Sequence, residues 1–163
     1  MANPKNPSNV DKAISVLHLL PQPNHFHTFS YPLETIPSIT PDLYTKYPFF
    51  STTKEEELIS VVVAMPKGED GMVVDGEVRG IKELGEAERW YGPWRAIKIR
   101  GPLYMGMTGI LNEMSTPLRQ AEIGIYAIST WPTDYVLVPA NKLEESLDVL
   151  RKDGWKVIDV KAE

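Results

Sequence analysis

Residues 94–139 read WRAIKIRGPLYMGMTGILNEMSTPLRQAEIGIYAISTWPTDYVLVP and carry the clearest periodicity in the chain. At the start, Ile97 and Ile99 alternate with Lys98 and Arg100, the period of a half-buried strand. Gly101-Pro102 ends it. Ile110, Leu111, Met114 and Leu118 then fall at helical spacing, with Gly106 or Thr108 near the cap. Pro117 removes a backbone donor, so a helix running to Ala121 should kink or shorten there. In IGIYAIST (123–130), Ile123, Ile125 and Ala127 share one face while Tyr126 and Ile128 share the other. DYVLVP (134–139) is a further strand, almost wholly apolar.

The next stretch has the best-signalled helix ends. Asn141 suits an N-cap, and Glu144 stands at capping-box spacing from it. Leu143, Leu147 and Leu150 form the stripe to be buried. Arg151 and Lys152 suit the negative end of the dipole, and Gly154 the left-handed residue that stops the helix. WKVIDV (155–160) predicts a closing strand. The order β-α-β-β-α-β is the ferredoxin-like unit.

The first half is less regular. SVLHLL and HFHTFSYP predict two strands separated by a turn at residues 21–24, and TPDLYTKYP a short helix stopped by Pro48. FFST and LISVVVAM predict strands flanking a helical turn at 53–57, where Thr53 and Glu56 have capping-box spacing. No close sequence repeat links the halves, yet both give strands with short helices. The expectation is an α+β chain of two ferredoxin-like lobes, each an antiparallel sheet with helices on one face. A flexible lead-in, 1–12, precedes a first lobe at 13–65, and a second lobe spans 94–163. Between the lobes, 66–93 is rich in Gly and acid and reads as a flexible insert rather than a small flap. Its MVV-DG-EVR carries the Asp-Gly signal of a two-residue hairpin.

Composition narrows the function classes. A chain of 163 residues buries about 70% of the surface it exposes when unfolded, so it needs no staples. The absence of cysteine excludes disulfides, thiolate zinc sites and a Cys nucleophile. A net charge of −5 argues against nucleic-acid and anionic-membrane surfaces. No apolar run approaches the roughly 20 residues of a membrane span, and the polar N-terminus has no apolar h-region. A cytoplasmic protein is expected.

Topology brings one turn into focus. The right-handed crossover makes the strands ending at Arg100 and Thr130 parallel, so both finish at the same end. In the usual ferredoxin-like strand order the strand starting at Asp134 neighbours the one ending at Arg100, which places Asp134 close to residues 101–109. The helix start there offers free N–H groups and a positive dipole end, which suit a carboxylate. Gly106 and Gly109 admit close backbone approach. Asp134 offers a negative charge to an ammonium or guanidinium, and Ser129, Thr130 and Thr133 can donate or accept. A free amino acid carries both charges. Equally, Asp134 and the threonines can simply satisfy turn amides, as such residues commonly do.

WRAIKIRGPL, MTGILNEMSTPL, IGIYAISTWPTDYVLVP and LEESLDVL together resemble the ACT-domain proteins, specifically the small tandem-ACT group related to cytosolic arginine sensors. The likeness covers residues 94–151 and extends to the first half through LHLLPQ and FFSTTKEEELISVVV. It implies a small ligand, such as an amino acid, held at a lobe interface to regulate another protein. Carried over by position, Asp134 would pair with the ligand's cationic group, and Thr130, Trp131 and Thr133 would line the pocket. Gly109 and Ile110, with Thr108 beside them, would give contacts at the helix start. Ser51 and Thr52 would face the pocket from the other lobe. The Met-rich YMGMTG, the Trp131-Pro132 pair and the longer connector depart from that group, so arginine itself is not implied. The arginine sensors have twice this domain content, so a chain of two lobes would dimerise to copy them.

Other residues carry less. His25 and His27 share a strand face, but two histidines without a third ligand do not make a metal site. There is no G-x-S-x-G elbow for a Ser-His-Asp enzyme. Glu55, Glu56 and Glu57 read as a solvated turn. Trp90, Trp94 and Trp155 read as core or lobe anchors, and Trp131 as either a surface plug or a pocket wall. No cofactor is implied. The expectation is a non-enzymatic amino-acid sensor, the alternative a protein-interaction module that pairs strands with a partner and has no functional ligand site.

Overall fold

The computed structural model describes residues 10–35 and 38–159. The expected flexible lead-in falls outside them for residues 1–9. The chain groups into two compact units, one holding residues up to Pro23 and from Ala96 onward, the other Asn24–Arg95. This grouping crosses the sequential division expected above. Residues 13–23 go with the second half, and 66–93 go with the first.

The unit of residues 24–95 is built on β1 (Leu19–Pro32), which enters it, and β7 (Arg89–Ile99), which leaves it. Between them lie α1 (Pro41–Lys46), β2 (Phe49–Lys54), β3 (Leu58–Ala64) and the short strands β4 (Met72–Val74), β5 (Glu77–Ile81) and β6 (Gly85–Glu86). The main sheet here runs β2-β3-β1-β7, and β4-β5-β6 form a second, three-stranded sheet. β3 pairs antiparallel with both β1 and β2. Phe29, Tyr31, Leu43, Tyr47, Val61, Val63 and Ile81 pack into its core.

Three expectations give way here. The two strands predicted at 15–20 and 25–32 are a single 14-residue strand from Leu19. Pro21 and Pro23 sit where β1 passes between units, and their fixed φ suits extended backbone. The helical turn at 53–57 is instead the end of β2 and a tight turn, with Thr53 opposite Ser60 and Lys54 opposite Ile59. Ladder hydrogen bonds outweigh a local cap signal. The insert at 66–93 is largely ordered strand. Its Asp75 and Gly76 both have positive φ, 51° and 81°, as a primed hairpin turn requires. Arg79 on β5 binds Asp75, Glu77 and Glu86 and stacks 4.8 Å from the Trp90 ring.

The other unit contains the start of β1, the end of β7, α2 (Ile110–Gln120), β8 (Tyr126–Ser129), β9 (Asp134–Pro139) and α3 (Leu143–Lys152). Its strand order is β1-β7-β9-β8, and β8 and β9 are antiparallel. Ile97 and Ile99 of β7 and Val136 and Val138 of β9 share a core cluster with Ile110, Met114 and Leu118 of α2 and with Leu143, Leu147 and Leu150 of α3. The two helices therefore cover one sheet face. Each fully buried aliphatic side chain contributes roughly 1.5–3 kcal/mol. The α+β, ferredoxin-like expectation holds, with one exchange. β1 takes the place beside β7 that the closing strand was expected to fill, so Val157 makes only an isolated parallel bridge to Leu19. α2 continues through Pro117, and Gly109, not Gly106 or Thr108, caps it. α3 follows a 3-10 turn at Ala140–Lys142, so Lys142 rather than Asn141 precedes it. Gly154 has the expected left-handed φ, 94°.

Candidate functional site

The turn between β8 and β9 is closed by its own hydroxyl and amide groups. Thr130 N and Oγ1 both donate to Thr133 O, at 2.8 and 2.7 Å. Thr133 is buried, and its Oγ1 donates to Ile99 O at 2.5 Å. Leu103 N donates to Pro132 O at 2.8 Å. At Gly101, φ is +73° and a Cβ would stand 2.8 Å from Pro132 O, so glycine is required both for conformation and for space. The turn thus adjoins the end of β7, where topology put it. The two threonine hydroxyls satisfy backbone carbonyls, the structural role left open by the sequence.

Asp134 opens β9 opposite Ser129 and is half-buried. Among the described residues its carboxylate makes no ion pair. Trp131 is 91% exposed, as is Met105, and Tyr104 is 68% exposed. Within its own unit Trp131 is therefore not the wall of a closed pocket. At the start of α2, Thr108 and Gly109 are exposed, and Gly109 takes a left-handed φ of 80°. The Ile110 side chain is buried in the core, so only its backbone is left for a ligand. Ser51 and Thr52 lie on β2, in the unit of residues 24–95, opposite Val62 and Val61. The Thr52 hydroxyl is 3.4 Å from Tyr44 Oη.

A groove of about 480 Å³ opens between the Asn112, Thr116 and Arg119 face of α2 and residues 122–125. None of the predicted site residues lines it. The described residues hold no group of three or more His, Asp or Glu side chains placed for a metal ion. His27 is buried and stacks on Phe29 at 6.0 Å. Burial, with the neighbouring His25 charge, pushes its pKa down to about 4. Two residues escaped the sequence reading. Val10 and Lys12 lie against the start of α2, and only contacts across most of the chain length reveal them.

Residues 91–152 match the family model of the ACT domain. That segment is an ACT domain. The match spans β7, α2, β8, β9 and α3, the elements that carry the turn and the helix start. The chain is similar to the cytosolic arginine sensor for mTORC1 subunit 1 of Bos taurus, with 39% identity over 64 residues, 37% of this chain and 20% of that protein. It spans less than a third of the length of the curated relatives it matches. Among solved structures, an Agobacterium tumefaciens protein superposes with a TM-score of 0.65 at 22% identity, covering 90% of this chain and 95% of that one. The regulatory subunit of aspartate kinase from Thermus thermophilus gives 0.52 at 12% identity, covering 80% and 93%. These two show the fold. No helix among the described residues is long and apolar enough to cross a membrane.

Proposed function

We propose that this chain is a non-enzymatic, cytoplasmic amino-acid-binding regulatory protein whose ligand sits where the Thr130–Asp134 turn meets the loop after β7. The observation that carries it is the half-buried carboxylate of Asp134, unpaired among the described residues and fixed at a strand start within a matched ACT domain. A ligand ammonium or guanidinium would supply the missing partner, and the helix start at the exposed Gly109 suits its carboxylate. Binding rather than turnover is favoured by the threonines. Their hydroxyls are committed to carbonyl oxygens, which leaves no activated nucleophile at the turn. Thr52 and Ser51 enter the proposal through the family resemblance alone.

The test is a thermal-shift screen of the common amino acids, arginine included. A ligand at 100 times its dissociation constant adds about 2.7 kcal/mol of stability. A second reading draws on the exposed Tyr104, Met105 and Trp131. An apolar surface of this kind suits a protein partner. If no amino acid moves the melting curve, the protein-interaction module becomes the better account.

A further inference from the structure

β8 (Tyr126–Ser129) ends the six-stranded sheet, with β9 on one side and, among the described residues, no strand on the other. Its free edge can be assigned group by group. Thr130 N donates to Thr133 O at 2.8 Å, which makes Thr130 and Thr133 a hydrogen-bonded pair. The register runs on unbroken from Ser129↔Asp134 to Tyr126↔Leu137. Bonded and non-bonded pairs alternate along an antiparallel ladder. Tyr126 and Ile128 therefore bond β9, while the N–H and C=O of Ala127 and Ser129 point to the open side. Both of these residues are exposed. Natural edge strands are commonly guarded by Lys, Pro or a bulge. IYAIS (125–129) has no Lys or Pro, and the β8–β9 register has no bulge.

The sheet face that α2 covers is open here as well. Ala127 stands opposite Val136, which shares the core cluster with Ile110, Met114 and Leu118 of α2. Ala127 faces that same side yet is exposed, so the helix cover stops short of the edge strand. Ile125, two residues earlier and on the same side, is 38% exposed and lines the groove of about 480 Å³. Asn112, Thr116 and Arg119, spaced along one face of α2, line it from the helix. The Thr116 hydroxyl donates to Asn112 O at 2.7 Å. Arg119 and Glu122 also line the groove, are exposed, and make no ion pair among the described residues.

We propose that the open edge of β8 and this groove together bind an extended peptide segment of another protein. The segment lies along β8 as an added strand and bonds Ala127 and Ser129 through its main chain. Its alternate side chains turn into the groove. There an acidic residue meets Arg119, a basic one meets Glu122, and an apolar one covers Ile125. β8 has only four residues, so the guest is a short segment. A second copy of this chain answers the backbone but not the charges. Its β8 would bring Ile125, Ala127 and Ser129 to that side, none of them charged, and Arg119 and Glu122 would stay unpaired. The groove adjoins the start of β8 and the amino-acid reading concerns the turn at its finish, so neither depends on the other.

The experiment selects random displayed peptides of about eight residues, enough to span the edge, on the full chain. Enriched sequences are then synthesised and titrated by fluorescence anisotropy. They should carry both charge signs at alternating positions. Ala127→Pro removes an outward N–H without touching the β9 ladder, and should weaken these peptides about tenfold. Arg119→Glu should weaken them too, and changing the peptide's acidic residue to Lys should restore binding. If Ala127→Pro unfolds, peptides N-methylated at alternate positions decide with the parent alone. One alternating set should abolish binding and the other should leave it intact. Binding indifferent to N-methylation and to Ala127→Pro, or no enriched sequence at all, would overturn the proposal. So would a dimer, seen by sedimentation, that Ala127→Pro dissociates, because it assigns the edge to a second copy.

Discussion

The hydroxyl of Thr133 donates to the carbonyl of Ile99 at 2.5 Å, joining the start of β9 to the end of β7 across 34 residues of sequence. Both residues are buried. Thr133→Val keeps the shape and leaves the carbonyl without this donor, a loss of about 1–2 kcal/mol. Thr133→Ser should retain most of the stability. Urea denaturation of the two variants checks the difference, and equal losses would show that the methyl, not the hydroxyl, matters.

Gly101 packs against the same turn. With φ at +73° and Pro132 O 2.8 Å from a would-be Cβ, Gly101→Ala should cost more than about 1 kcal/mol. The loss should exceed that of Gly106→Ala, because nothing lies within 4 Å of a Cβ there. Comparing the two melting temperatures tests this.

His27 should make the protein acid-sensitive. Its pKa is lowered from 6.5 to about 4 by burial and by His25, so the unfolded chain binds a proton that the folded chain refuses. Its contribution is therefore complete above pH 6.5 and is lost progressively as pH falls toward 4, up to about 3 kcal/mol. His27→Phe should flatten that part of the stability–pH curve. Denaturant midpoints measured between pH 4 and pH 8 would show it, and parallel curves for parent and variant would refute the assignment.

Asp134→Ala should leave stability within about 0.5 kcal/mol, since a partly exposed carboxylate without an ion pair holds little of the fold together. It should abolish any amino-acid-induced thermal shift. A retained shift would remove Asp134 from the site.

Features written in local patterns were readable from sequence. The alternation at Ile97 and Ile99, the stripe of α3 and its stop at Gly154, and the Asp75-Gly76 hairpin each depend on neighbours a few residues away. Long-range competition was not readable. Thr53 and Glu56 offer a good cap locally, but β3 offers Thr53 and Lys54 ladder partners. The closing strand had the right pattern, yet its place beside β7 went to a strand from the other end of the chain. At the site, topology alone brought the turn beside Gly101. The exposure of Trp131 and the reach of Lys12 depend on packing that no local pattern encodes.

Residues 24–95 interrupt the other unit in sequence, and this has a consequence for synthesis. On a ribosome, that middle stretch is complete once Arg95 emerges, and domains generally fold as units in the order they appear. The start of β1 must wait, because β9, α3 and Asp153, the partner of Lys12, are made last. The nascent chain therefore finishes its inner module first and carries the start of β1 without the cover of α3 until translation is nearly over. That interval is when Leu17 and Leu19, both buried at the end, are most open to chaperones.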